Sequence, residues 1–93
     1  MKAYTKLYFE YFDYGPLDFV PCEICGSKAV DIHHIEARGR GGTKTKDVIE
    51  NLMAVCRKCH QDYGDITEYK QMLKDLHAKV MSYKGHQGDG VGL

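Results

Sequence analysis

Asp31-Ile32-His33-His34-Ile35 opens the stretch that decides the fold, and Asn51-Leu52-Met53-Ala54-Val55-Cys56-Arg57-Lys58-Cys59-His60 closes it. Between them lies Arg38-Gly39-Arg40-Gly41-Gly42-Thr43-Lys44, a basic loop too rich in glycine for regular structure. Upstream, Cys22-Glu23-Ile24-Cys25-Gly26 repeats the spacing of Cys56 and Cys59. Adjacent histidines, an asparagine and a further histidine are thus framed by paired Cys-x-x-Cys knuckles.

Working outward, Lys28 to Ile35 is β-branched and alternating and predicts a strand, and Leu52 to Val55 predicts a second, shorter one. The segment after Cys56 is expected to start a helix carrying His60. Asp65-x-x-Glu68 resembles a capping box for another helix running to about Lys84, with Tyr69, Met72, Leu73, Leu76, Val80 and Tyr83 on one face and Gly85 as its stop. Near the start, Tyr4, Leu7, Tyr8, Tyr11 and Phe12 recur at helical spacing until Gly15-Pro16 interrupts them. Aromatics at that spacing are read as core rather than as a base-stacking surface. The organisation expected is a single domain over residues 1–84 with its core at 22–64, followed by a disordered glycine-rich tail over 85–93.

Ninety-three residues lie near the lower limit for folding on hydrophobic burial alone, so a staple is expected. The four cysteines supply it. Paired thiolates at Cys22, Cys25, Cys56 and Cys59 are the usual makings of a tetrahedral zinc site, and Gly26 suits a tight knuckle. The interval between the pairs exceeds the roughly fifteen to twenty residues of a compact zinc ribbon, because the histidine stretch is placed inside it. With four sulfur ligands the zinc is structural, its shell closed to water. The competing reading, a redox protein using the Cys-x-x-Cys pairs, lacks any accompanying redox-fold pattern.

No apolar run approaches the roughly 20 residues of a membrane span, and tyrosines and acids follow Met1-Lys2-Ala3 instead of a signal core. A cytoplasmic protein with no membrane partner is expected. Of the five histidines, His77 and His86 are read as surface or half-buried residues. His33, His34 and His60 differ, because imidazole is both the commonest transition-metal ligand and a proton acceptor suited to neutral pH.

Taken in order, Cys-x-x-Cys, Ile32-His33-His34-Ile35, Gly41-Gly42, Asn51-Leu52 and Cys56-x-x-Cys59-His60 resemble the HNH endonucleases over about residues 22–64. The resemblance implies an α+β fold, a small ββα-metal (His-Me finger) core with flanking N- and C-terminal helices. It is similar to the small zinc-stabilised bacterial and phage-type members, some of which nick one strand. By the same resemblance His33 matches a ligand of the catalytic metal, His34 the general base, Asn51 the residue pinning the loop to the core, and His60 the closing metal ligand. Nuclease toxins of the family carry another histidine four residues later, where this chain has Gly64. Neither Asp62 nor Asp65 stands at an i+3 or i+4 offset from His60, so an open, oxygen-rich shell suited to Mg²⁺ or Mn²⁺ is implied.

A DNA partner is implied too, and the chain's charge bears on it. The formal net charge is zero, which predicts weak, salt-sensitive contact. Six basic residues between Glu36 and His60 face three acids, and Arg38, Arg40, Lys44 and Arg57 are the candidate phosphate contacts. A monomer, or a weak homodimer, is expected, with one metal centre per chain cutting one strand. The alternative is a non-catalytic zinc-stabilised module that binds DNA or another partner, favoured by Gly64 and the zero net charge. One difficulty concerns the tandem histidines: adjacent side chains of a strand point to opposite faces, so His33 and His34 share a site only if the strand ends or twists there.

Overall fold

The computed structural model describes residues 2–37 and 44–90, with backbone only at 44 and 84–90. Its element order is α1 (Ala3–Phe12), β1 (Asp31–His34), β2 (Leu52–Val55), α2 (Arg57–Cys59) and α3 (Lys70–Gly90), with short 3₁₀ turns at Lys44–Lys46, Ile49–Asn51 and Thr67–Tyr69. The two strands pair antiparallel, with Asp31 opposite Val55, His33 opposite Met53 and His34 opposite Leu52.

Both faces of this small sheet are covered, which explains why β2 is apolar throughout. Leu52 and Ala54 join Tyr8, Val20 and Ile32 beneath α1, whereas Met53 and Val55 pack with the cysteines and Leu73 of α3. The period of two along β2 thus divides one run of four fully buried residues between separate cores. The result is an α+β arrangement in which two strands, a helix and four clustered cysteines match the ββα-metal fold.

Several boundaries differ from the sequence expectation, each for a local reason. The first strand starts at Asp31, because the residues before it serve the cysteine knuckle: Lys28 bridges Pro21, and Ala29 N–H donates to the Val20 carbonyl at 2.8 Å. Helix α1 ends at Phe12, before Gly15-Pro16. Asp13 adopts the left-handed conformation (φ 63°), Tyr14 N–H donates to Phe9 O, and Asp13 N–H donates to Glu10 O. This is a Schellman stop, completed by edge contact between the Phe9 and Tyr14 rings. Tyr8 is the buried centre of α1, and Phe9 rather than Tyr11 joins Tyr4, Leu7 and Phe12 in that core.

The capping box at Asp65 and Glu68 does not form; Ile66 precedes a 3₁₀ turn that leads into α3, and no side chain caps it. Along α3 the apolar stripe centres on Leu73, flanked by Met72 and Leu76, while Tyr83 is 66 % exposed. The helix backbone passes Gly85, the expected stop, and continues to Gly90. Glycine lowers helix propensity by about 1 kcal/mol relative to alanine but leaves the hydrogen-bond ladder intact. His77 is the larger surprise: read as a surface or half-buried residue, it is 1 % exposed and bonded to Glu23 and the Ile49 carbonyl.

Candidate metal centres and active-site cleft

The cysteines come together first. Cys22, Cys56 and Cys59 are buried and Cys25 is exposed, and the four sulfurs all lie within 4.8 Å of one another. Zinc–sulfur bonds of about 2.3 Å place tetrahedral sulfurs about 3.8 Å apart, so a slight contraction closes the shell. Cys25 and Cys56 are already at 3.7 Å. Local backbone makes the cradle. Gly26 supplies the positive φ (84°) that turns the first knuckle, and Ile24 N–H and Cys59 N–H point at the Cys22 and Cys56 sulfurs at 3.4 Å. Hydrogen bonds from Ser27 pull the Cys25 thiol down to about 6, while burial pushes that of Cys59 up. Four such sulfurs fit a zinc-like ion.

The second knuckle then sets out the histidines. Cys56 caps the start of α2, whose last turn widens into a π turn over His60–Gly64. Such turns are rare and recur at functional sites. The π turn carries His60 to within 4.8 Å of His33, ring centroid to centroid. His33 is 5 % exposed, and its Nε2 is buried without a hydrogen-bond partner. An orphaned imidazole nitrogen beside a second imidazole has the donor chemistry of a metal site. Burial, and next the neighbouring His60, hold the His33 pKa below the usual histidine value, keeping the ring neutral. His60 presents Nδ1 to Asp31 Oδ2 at 3.1 Å, which orients its Nε2 away from that carboxylate.

A cleft of about 410 Å³ joins these groups, lined among others by Asp31, Ile32, His33, His34, His60 and Asp65. Asp31, Ile32, His33 and His34, four consecutive residues of β1, all line it, so the tandem histidines border the same cleft. His34 sits toward α1, its ring edge-on to Tyr4 at 4.6 Å and its Nε2 2.7 Å from Asp47 Oδ1. Asn51, buried at the end of its 3₁₀ turn, accepts from Glu36 N–H at 2.7 Å and donates to the carbonyls of Glu36 and Lys46, both at 2.9 Å. Its amide is thereby committed to holding the two ends of the loop together.

Arg57 is exposed and lines a hollow that shares Asp31 and His60 with the cleft. Arg38 and Arg40 lie outside the described residues, as does the Lys44 side chain. Asp31 and Asp47 went unassigned in the sequence, since only tertiary pairing reveals them. Asp65, the residue that follows the π turn, also lines the cleft. Among the described residues the cysteines are the one group of three or more His, Cys, Asp or Glu side chains gathered as for an ion, and His33 and His60 bring two imidazoles together in the cleft.

Gly64 is more than a missing ligand. A Cβ there would stand 2.5 Å from His60 Cδ2 and 3.4 Å from His33 Cε1. Gly64→Ala is expected to displace the His60 ring, cost about 1–3 kcal/mol in urea unfolding, and weaken Mn²⁺ binding followed by electron paramagnetic resonance. Wild-type Mn²⁺ affinity in that variant would show that the two rings are not ligands of one ion.

No curated protein and no solved structure matches the chain. Among family models, HNH endonuclease matches residues 22–65, spanning both cysteine knuckles, both strands and the π turn. That family comprises nucleases and binds nucleic acid, and no helix among the described residues is long and apolar enough to cross a membrane. Over residues 22–65, a little under half of its length, the chain is similar to the HNH endonucleases.

Proposed function

We propose that the protein is a metal-dependent DNA endonuclease that nicks one strand. The observation that carries this reading is the buried, unpartnered Nε2 of His33, set against His60 in the cleft that also holds His34. A binding module has no use for an orphaned nitrogen there, and leaving one unsatisfied costs about 1–3 kcal/mol.

His33 and His60 would hold the divalent ion, Mn²⁺ or Mg²⁺ by the openness of the shell, while the cysteines hold structural zinc. Bound there, such an ion would supply Lewis-acid stabilisation of the charge that builds on the phosphodiester. His34 takes a proton from the water that attacks phosphorus. Arg57 and Lys2, at the margins of the cleft, are placed to meet flanking phosphates, with Arg38, Arg40 and Lys44 as further contacts from the loop. Asn51 acts by position, fixing the loop that follows β1. One such centre per chain accounts for nicking, with the chain working as a monomer.

The test is relaxation of supercoiled plasmid by wild type and His34→Ala. The variant should retain zinc and DNA binding yet lose about 10²–10⁴-fold in rate, the range of general-base contributions. Unchanged cleavage would falsify the base assignment.

A further inference from the structure

We infer that Asp47 sets the tautomer of His34, making the cleft histidine a carboxylate-oriented base; this rests on the nuclease reading above. The Nε2–Oδ1 distance is 2.7 Å, and the side chains are 12 % and 17 % exposed, so the contact is largely shielded from water. An ionised carboxylate only accepts hydrogen bonds, so the ring hydrogen resides on Nε2. The lone pair is then on Nδ1, the one nitrogen left for a water proton. Tyr4, edge-on at 4.6 Å with 72° between the ring planes, restricts the ring from the other side.

Asp47 is itself held in place. The carbonyl of its neighbour Lys46 accepts from Asn51 Nδ2 at 2.9 Å, and Asn51 N–H donates to Val48 O at 2.8 Å. The backbone on both sides of Asp47 is thus tied to the same buried asparagine. This links three residues in one chain of positioning: Asn51 fixes the loop end, the loop end presents Asp47, and Asp47 turns His34. The logic is that by which an aspartate fixes a general-base histidine in hydrolytic triads, with the roles of the two ring nitrogens exchanged. Asp47 touches neither substrate nor the reacting atoms, so its role is positioning.

The experiment combines kinetics with the nitrogen-15 spectrum of His34 in zinc-loaded, full-length protein in Mg²⁺. In wild type the spectrum should show the Nε2–H form. Asp47→Asn and Asp47→Ala should lower kcat for plasmid nicking by about 10²-fold or more while leaving KM within about twofold, and shift the ring toward Nδ1–H. A role confined to fold stability would move neither the kcat-to-KM balance nor the tautomer of the folded fraction. An Nδ1–H wild-type ring, or wild-type kcat in both variants, overturns the inference. If His34→Ala cleaves normally, the base assignment fails separately, and the spectrum alone still decides whether Asp47 orients the ring.

Discussion

Stripping the metal from the four cysteines is expected to unfold the domain outright. Structural zinc in small domains contributes about 10–16 kcal/mol of apparent binding free energy at neutral pH, against a net stability of roughly 5–15 kcal/mol for a whole domain. Here three of the four sulfurs belong to a hydrophobic core that also contains Ile35, Met53, Val55 and Leu73. Without the ion, that core must bury thiols with no bonds to offset the cost of ordering both knuckles. Cys59→Ser, at a buried position that also anchors the turn leading to His60, should abolish cooperative unfolding followed by far-ultraviolet circular dichroism. Cys25→Ser, at the exposed position, keeps three thiolates and should lower the melting temperature while leaving a folded protein. A chelator that removes one equivalent of zinc yet leaves the wild-type transition unchanged would contradict this account of the staple.

The second large effect concerns the buried pair His77 and Glu23. Nδ1 of His77 is 2.8 Å from Glu23 Oε1, and its Nε2 is 2.6 Å from the Ile49 carbonyl. A carbonyl only accepts, so Nε2 carries a hydrogen; protonated at both nitrogens, the ring donates to both partners. Burial works against the charged ring, but the Glu23 hydrogen bond and charge prevail, and the His77 pKa lies above the usual 6.5. The other Glu23 oxygen accepts from the Tyr8 hydroxyl at 2.5 Å. One carboxylate between Cys22 and Cys25 thereby ties α1 and α3 to the first knuckle. His77→Ala leaves that carboxylate buried without its cation and should cost about 3–5 kcal/mol in urea unfolding.

The pH dependence has a definite sign. Because the folded-state pKa is raised, the stabilisation from His77 is complete below about 6.5 and is lost as pH rises through the raised value. The stability gap between wild type and His77→Ala should therefore narrow as pH is increased above 7. A gap that widens over that range would reverse the assignment of charge to the pair. His33 has the opposite dependence: its depressed pKa favours the fold above 6.5, and that contribution is lost as pH falls.

What was legible in the sequence had short-range signatures. The matched cysteine spacing and the apolar run Leu52–Val55 each lie within a local pattern, and the fold gathers the four sulfurs and pairs that run as β2. The family match over residues 22–65 agrees with the resemblance seen in the motifs. What was illegible depends on distant pairing or on an irregular turn. His77 finds Glu23 across 54 positions, and nothing near either residue announces it. Asp31 and Asp47 carry no local signal of a role until tertiary structure sets them against His60 and His34. The π turn at His60–Gly64 has no propensity signature. As a result Gly64 read as an absent ligand, although its lack of a side chain is what makes room for the His60 ring.

The proposed division of labour has the histidines performing metal-dependent strand cleavage, separate from the metal staple at the cysteines. The most direct measurement incubates zinc-retaining protein, cleared of other metals, with supercoiled plasmid in Mn²⁺, Mg²⁺, Ca²⁺ or no added ion. Open circles accumulating ahead of linear product in Mn²⁺ or Mg²⁺, and absent without added metal, are the result predicted. No conversion in any metal, from protein that keeps its zinc, its fold and its hold on DNA, would contradict the claim and leave a binding module in its place.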